Sequence, residues 1–179
     1  ADILSELSAD KVNEIIENIS DKEYSRNLTS LLKYPEDTAG GLMARELIKV
    51  NLNWTVGQCT EEIRKQAEEV AKVYTVYVVD DGDTLLGFVS LKGIILENAS
   101  TKVSQIYETN VLSADIYTKG EDIAKIMQKY DLIALPIVDT LKRLVGRITI
   151  DDIVDFIQEE AERDYQLLSG ISENVESDD

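Results

Sequence analysis

The sequence lacks histidine altogether, has a single cysteine, Cys59, and contains only two prolines among its 179 residues. Without histidine, no Ser-His-Asp or Cys-His catalytic arrangement can be built, and a zinc site with the usual soft ligands is excluded. A single cysteine allows no intramolecular disulfide, which fits a reducing compartment. A Gly-rich phosphate-binding loop is also missing. These absences predict a protein that is not an enzyme; an enzyme that uses carboxylates alone is the weaker alternative, since no acid/base pair stands out.

Long apolar runs and an excess of basic residues are missing as well. No stretch of eighteen or more apolar residues occurs, so no segment is expected to span a bilayer, and the first ten residues do not read as a signal peptide. Lysine and arginine number 18 against 35 aspartates and glutamates, a formal net charge of −17. Such a surface disfavours nucleic acid and anionic lipid and favours cations. The simpler explanation is that the negative charge only keeps the protein in solution, and composition alone does not decide between the two.

What the sequence does contain is an internal repeat. Val79 and Gly87 recur as Val138 and Gly146, each 59 residues later, within two similar pairs of strand-like runs. A helical pattern precedes each pair and a second helix follows it, which predicts a strand-helix-strand-strand-helix unit used twice, in pseudo-twofold packing. The predicted hairpin strands are 76–79, 85–90, 135–138 and 144–149, and the predicted helices are 59–71, 91–96, 121–130 and 151–168.

The region before the repeats has a different pattern. Residues 8–33 predict two short helices, and the first carries an apolar stripe at i, i+3, i+4 and i+7 that starts at Val12. Two short helices cannot form a core alone, so we expect them to pack on the repeats or on a partner segment. The predicted fold class is mixed α/β: a short α-helical N-terminal segment, a tandem pair of repeats and a long C-terminal helix.

Two of the predicted helices carry stripes of carboxylates. At about 100° per residue, four acids of the last helix lie within an arc of roughly 80°. Brought to ~5 Å, one carboxylate pair repels by roughly 3 kcal/mol at an effective dielectric near 20, whereas a hard divalent cation would bridge it. Solvated helix surface is the simpler explanation of such stripes. The two stripes are Asp152, Asp155, Glu159 and Glu162, and, on the first helix, Asp10, Glu14 and Glu17.

Three segments resemble known families. Gly146–Asp152 (Gly-Arg-Ile-Thr-Ile-Asp-Asp) resembles the closing motif of a cystathionine-β-synthase (CBS) domain, Gly-h-h-Thr-x-x-Asp. Leu32–Met43 resembles the junction between the helical N domain and the CBS pair of MgtE-type magnesium transporters, and Glu159–Gly170 resembles that family's connecting helix, which leads to the membrane pore. The resemblance implies the end of the N domain at 1–34, a junction at 35–43, CBS repeats at 44–98 and 99–157, and the start of the connecting helix at 158–179.

The resemblance also implies a function. It predicts a region at the cytoplasmic face of the cell membrane that senses Mg²⁺ and favours a compact, pore-closing state. The implied partners are a second copy, through the CBS domains, and the transmembrane pore domain of the same full-length chain. Lys119 and Arg163 stand where the family can supply acids, so we expect fewer or weaker ions. The acids that match the family's metal sites are Asp10, Glu14, Glu121, Asp131, Asp152, Asp155, Glu160 and Asp164.

A nucleotide is the rival ligand that the resemblance implies. If this chain binds ATP or a related nucleotide as CBS pairs generally do, Thr149 would bond a phosphate and Asp152 would bond the ribose hydroxyls. The equivalent positions in the first repeat are Ser90 and Gly93, and a glycine cannot hold a ribose. An adenine-nucleotide-sensing CBS module of another membrane protein is therefore the alternative function. A purely structural dimerisation domain is a third.

Two glycine-containing segments have simpler interpretations. The run Asp80-Asp-Gly82-Asp83 resembles the start of a calcium loop, but the glutamate that would complete it is absent, so we interpret it as a hairpin turn. Gly40-Gly41 is interpreted either as a flexible junction or as the source of a bare carbonyl oxygen for a metal ion.

Overall fold

The computed structural model describes residues 34–68 and 75–176, without the side chains of 171–176. The two helices predicted over 8–33 lie outside these residues, and with them Asp10 and Glu14. The described helices are α1 Ala39–Leu42, α2 Val56–Ala67, α3 Leu91–Leu96, α4 Gly120–Lys129 and α5 Ile150–Glu176, with a 3₁₀ turn at Val103–Gln105. The strands are β1 Ile48–Asn51, β2 Val76–Val79, β3 Leu85–Val89, β4 Ala114–Asp115, β5 Ala134–Val138 and β6 Leu144–Thr149.

Two three-stranded sheets of identical topology confirm the repeat. In each sheet the first strand pairs in parallel with the second, and the second pairs antiparallel with the third. The parallel pair needs a crossover connection, which α2 supplies in the first repeat and α4 in the second. Both hairpins carry a register shift at the same repeat position, between Val78 and Val79 and between Ile137 and Val138. The predicted mixed α/β fold with tandem repeats is therefore confirmed.

Local sequence explains how the helices start and which faces they bury. The Thr55 side chain accepts from the Gln58 backbone N–H while the Gln58 side chain accepts from the Thr55 N–H, so a capping box starts α2. In α4, Ile123 and Met127 are one turn apart and fully buried beneath the second sheet. A similar apolar cluster, which includes Cys59, fills the first repeat. Each repeat thus has its own core.

The linkers that precede the two repeats cross to the opposite sheet. Ala44 and Arg147 exchange both backbone hydrogen bonds, at 2.8 and 2.9 Å, so the chain entering the first repeat borders the second sheet. Phe88 and Glu108 do the same, at 2.8 and 2.9 Å, on the first sheet. Between the sheets lies a third cluster, built on Tyr77, Val79 and Leu144. The two repeats are therefore interlocked.

The structure corrects one interpretation and several boundaries. Gly40 and Gly41 are not a flexible junction: they form the middle of α1, and Gly40 is buried, with its N–H donated to the Ile116 carbonyl at 2.8 Å. A side chain at Gly40 would overlap the ring of Tyr34. The helix predicted over 59–71 starts earlier, at Val56, and the last helix continues to Glu176. From residue 157 to 170 most side chains of α5 are exposed to solvent, so this part of the helix is not anchored to a core.

Candidate functional site

The acidic stripe predicted on the last helix lies on the surface of α5. The first turns of this helix bury Ile153 and Phe156 against the second repeat. Beyond Phe156, nearly every side chain up to Gly170 is exposed, apolar ones included, so the helix projects past the core that anchors it. The exposed acids of the stripe are Asp152, Asp155, Glu159 and Glu162.

These acids do not form a ready-made metal site within the described part of the chain. No three histidine, cysteine, aspartate or glutamate side chains among those residues lie together in a way that could hold an ion. The structure therefore does not gather Glu121, Asp131 and the acids of α5 into one cluster. Ligands from the region before Tyr34, from a second copy or from water would have to complete a site.

Glu121 and Glu160 each make an interaction within the protein that does not involve a metal. Glu121 lies in the first turn of α4, where a carboxylate interacts favourably with the helix dipole. The carboxylate of Glu160 accepts from the Arg163 guanidinium at 3.3 Å, one turn along α5. Because Arg163 is exposed and Glu160 is only half-buried, the pair contributes little to stability and leaves Glu160 partly accessible to a cation. Asp164 is exposed on the same helix.

Asp131 occupies a conformation that glycine usually adopts. Its φ is 54°, directly after the C-cap residue Tyr130 of α4. The Leu132 N–H bonds to the Met127 carbonyl at 2.9 Å and the Asp131 N–H to the Gln128 carbonyl at 3.4 Å, the two bonds of a Schellman motif. An aspartate here costs roughly 1 kcal/mol relative to an unstrained conformation. Aspartate is among the few non-glycine residues that adopt this conformation, so helix termination accounts for Asp131, and its role as a metal ligand stays a prediction.

Thr149 and Asp152, the predicted nucleotide ligands, are brought together. The Thr149 hydroxyl donates to the Asp152 carboxylate at 3.0 Å at the start of α5. In the first repeat, Ser90 accepts from the Gly93 N–H at 2.9 Å, and no carboxylate is present at that position. The two repeats share the helix-capping hydroxyl but differ in the acid. Only the second repeat has both groups of the motif.

A buried arginine next to this motif was missed by the sequence reasoning. Arg147 is 5% exposed and lies two residues before Thr149, on the same face of β6. Burial raises the pKa of the Tyr77 phenol to about 12, and the positive charge of the nearby Arg147 guanidinium opposes this rise. Burial also lowers the pKa of Arg45. The signal was available: Arg147 stands at an apolar position of the CBS closing motif and is 59 residues from Phe88.

The junction is held to the second repeat by an ion pair that the sequence did not predict. Lys119 Nζ lies 2.9 Å from Asp37 Oδ2, and the Asp37 carbonyl accepts from the Gly120 N–H at 2.8 Å. The hydrogen bond from Lys119 holds the pKa of Asp37 below its usual value. Lys119 therefore provides a positive charge at the position where the family resemblance led us to expect an acid.

The helical face of the first repeat carries an apolar groove of about 450 Å³ between α2 and α3. Ile95 borders it and is 78% exposed, and the neighbouring Leu96 is 73% exposed. In the second repeat, Val154 lies 59 residues after Ile95 and is also exposed. Equivalent faces of the two repeats therefore present apolar side chains to solvent. None of the helices in the described ranges is both long and apolar enough to cross a membrane.

Comparison with known sequences places this fold in a family. The CBS domain pattern matches residues 39–99 and 103–159. The magnesium transporter MgtE of Enterococcus faecalis is 34% identical over 149 residues, which are 83% of this chain and 33% of the relative. The magnesium transporter MgtE of Thermus thermophilus is 33% identical over 156 residues, 87% of this chain and 35% of the relative. The chain spans about a third of the length of these curated relatives.

Solved structures agree with the sequence matches. The crystal structure of the soluble part of a magnesium transporter superposes with a TM-score of 0.73 at 31% identity, over 89% of this chain and 62% of that one. The cytosolic domain of the Mg²⁺ channel MgtE in complex with ATP gives a TM-score of 0.67 at 33% identity, over 86% of this chain and 68% of that one. The chain therefore belongs to the CBS-domain family and is a homologue of the cytosolic region of MgtE magnesium transporters.

Proposed function

We propose that this chain is the Mg²⁺-sensing regulatory region of an MgtE-like magnesium transporter, placed on the cytosolic side of the membrane and joined there to a pore domain. Mg²⁺ bound by its acidic faces favours a compact state that closes the pore. The relatives support the transporter context. The single observation that carries the sensing role is the exposed acidic stripe on α5, the helix that projects beyond the second repeat.

The absence of a preformed three-acid cluster in the described residues suits a sensor. If the ligands of one ion come from two structural units, the ion binds only when the units are close together. Ion binding then favours the compact state. A ligand shifts an equilibrium only through its differential affinity for the two states, and a switch from 1:99 to 99:1 needs about 5.5 kcal/mol. A single exposed ion would not supply that. Several ions bridging Asp10 and Glu14 to Asp152 and Asp155 would, with a steep dependence on Mg²⁺ concentration.

We infer that the working unit is a homodimer formed through the helical faces of the CBS repeats. Ile95 and Leu96 on the first repeat and Val154 on the second are apolar, exposed and placed equivalently by the internal repeat. A twofold dimer needs a self-complementary surface, and two similar apolar faces on one molecule provide it. The groove between α2 and α3 would then receive side chains of the second copy.

Nucleotide binding is the second candidate, and the Thr149–Asp152 pair favours it. The positive charge of Arg147 lies on the same strand face, and a guanidinium suits a phosphate. One structural relative contains ATP. Because Gly93 replaces the acid in the first repeat, we expect one nucleotide per chain at most. The Thr149–Asp152 hydrogen bond would have to open for both groups to contact the ligand.

Calorimetric titration of the 179-residue chain with Mg²⁺ and, separately, with ATP tests the two functions. We expect Mg²⁺ to bind and the radius of gyration from small-angle scattering to fall steeply as Mg²⁺ rises. The double variant Asp152→Asn with Asp155→Asn should lose this compaction. Its matched control is Glu61→Gln with Glu68→Gln, which removes the same charge from exposed positions of α2 and the residue after it.

The outcomes separate the alternatives. Compaction that survives in the α5 variant would contradict the role of the stripe. Equal loss of compaction in the α2 control would contradict it too, because it would indicate an effect of overall charge. An unchanged radius from micromolar to tens of millimolar Mg²⁺ would overturn metal sensing by compaction. Tight ATP binding together with no Mg²⁺ heat would favour the nucleotide module, and loss of that binding in Thr149→Val would assign it to the second repeat.

A further inference from the structure

Gly120 lies where three parts of the chain meet. It is the first residue of α4 and is buried. A Cβ atom at this position would overlap the ring of Phe156 in α5 and would come within 2.9 Å of Leu42 Cδ1 in α1. The junction helix, the start of α4 and the start of the long C-terminal helix are therefore in direct contact, and only a glycine allows them to approach this closely.

Hydrogen bonds join the junction, and Ala44 directly after it, to the second repeat. The Ala39 N–H donates to the Thr118 carbonyl at 2.7 Å, and the Lys119–Asp37 ion pair closes the same end. At the other end, the exchange of backbone hydrogen bonds between Ala44 and Arg147 joins the junction to β6, the strand that leads directly into α5. The principal packing partners of α1 are α4, β4 and β6, all of them in the second repeat.

The order of contacts in space thus differs from the order in the chain. Along the chain, the whole first repeat and the strands of the second repeat separate Met43 from α5. In space, Leu42 reaches Phe156 through the single buried residue Gly120. Packed cores transmit displacement because they contain few voids.

We infer that the junction and the start of α5 form one coupled unit through Gly120, so that a displacement of the junction reaches α5 without passing through the first repeat. This coupling goes beyond the proposed function and does not depend on the ligand. It is measured without Mg²⁺, so its failure would leave the sensing proposal standing.

Hydrogen–deuterium exchange of the whole chain tests the coupling. Leu42→Ala removes the junction side chain at this contact. We expect exchange in residues 150–160 to become about tenfold faster while residues 56–67 of α2 stay unchanged, since local opening spreads within a packed unit. The matched control is Leu91→Ala in α3, a half-buried leucine packed on the core of the first repeat. It should speed exchange in the first repeat and leave 150–160 unchanged.

A second variant keeps the test decisive. Gly120→Ala should speed exchange in 150–160, and adding Phe156→Leu should restore slower exchange because it removes the ring atoms that the new methyl group would overlap. Unchanged exchange in 150–160 for a folded Leu42→Ala variant would overturn the inference. Equal acceleration in α2 and α5 would overturn it too, because it would indicate global destabilisation.

Discussion

Asp83 and Lys142 are equivalent residues of the two repeats, 59 positions apart, and the backbone of each accepts a hydrogen bond from the other hairpin. The Leu144 N–H donates to the Asp83 carbonyl at 2.9 Å, and the Leu85 N–H donates to the Lys142 carbonyl at 3.1 Å. Both residues have left-handed backbone angles, φ 64° and 65°. The two hairpin turns are therefore hydrogen-bonded to each other across the internal pseudo-twofold axis. The left-handed conformation of Asp83 and Lys142 orients the carbonyl of each residue towards the N–H group of the other hairpin.

Lys142→Gly should stabilise the protein. The left-handed conformation costs a non-glycine residue about 1 kcal/mol or more, and glycine adopts it freely, although glycine also gains entropy in the unfolded chain. We expect a net gain of about 0.5 kcal/mol in the free energy of unfolding, measured by urea denaturation. Lys142→Ala, which loses the charge but keeps the strain, is the control. A glycine variant less stable than the alanine variant would contradict a strained Lys142.

Asp131 allows strain and metal binding to be separated. Asp131→Gly should raise the free energy of unfolding without metal by at most about 0.5 kcal/mol, because it relieves the positive φ at the end of α4 while glycine gains entropy in the unfolded chain. Asp131→Asn tolerates the same conformation and should change stability by less than about 0.5 kcal/mol. Both variants lose the carboxylate, so both should weaken Mg²⁺ binding in calorimetry. Unaltered Mg²⁺ binding in both would remove Asp131 from the metal ligands.

Cys59 should report on opening of the first repeat. Burial raises the pKa of its thiol to about 11 from 9.0. The thiolate is the reactive form, so at pH 8 a thiol reagent should react at least about 100-fold more slowly than with the urea-unfolded chain. Because the folded pKa is the higher one, this group's contribution to stability is complete below about pH 9 and is lost as pH rises towards 11. Equal rates in folded and unfolded protein would contradict the burial.

Ile95→Lys should weaken the proposed dimer. A charge placed on the exposed apolar face of α3 would be buried without a partner in the interface, and we expect the dissociation constant to rise at least tenfold, about 1.4 kcal/mol. Sedimentation equilibrium measures it. Leu141→Lys, at the exposed hairpin turn of the second repeat, makes the same change away from the helical faces and should leave association unaltered. A wild type that stays monomeric at high concentration would remove the dimer proposal.

Much of the fold could be predicted because its signals are local and repeated. The four hairpin strands were located to within one residue at each end, and α3 was placed from 91 to 96 as observed. Alternation of apolar residues and turn residues decides such elements over a few positions, and a constant offset of 59 reinforces each of them. The helix α2 starts three residues before the predicted position: Val56 and Gly57 are weak helix formers, and the Thr55–Gln58 capping box is the local signal that marks the start.

The candidate sites were predicted less completely, because they depend on contacts between distant residues. The pairing of Thr149 with Asp152 follows from a spacing of three residues, so the motif located it. The Asp37–Lys119 ion pair joins positions 82 apart, and no local pattern indicates it. Arg147 reads in the sequence as one more surface charge, and only the packing of the second sheet against Tyr77 and the junction buries it.

The sequence by itself determined the two repeats, their cores and the acidic face of the last helix, since hydrophobic periodicity and charge placement act within each element. The tertiary structure decided that the linkers cross to the opposite sheets, that Gly40 and Gly41 are packed rather than flexible, and that the junction touches α5 at Gly120. These features arise because each sheet must cover its edge and its apolar face with whatever chain lies near in space. That requirement is met by residues remote in sequence, and no local pattern records it.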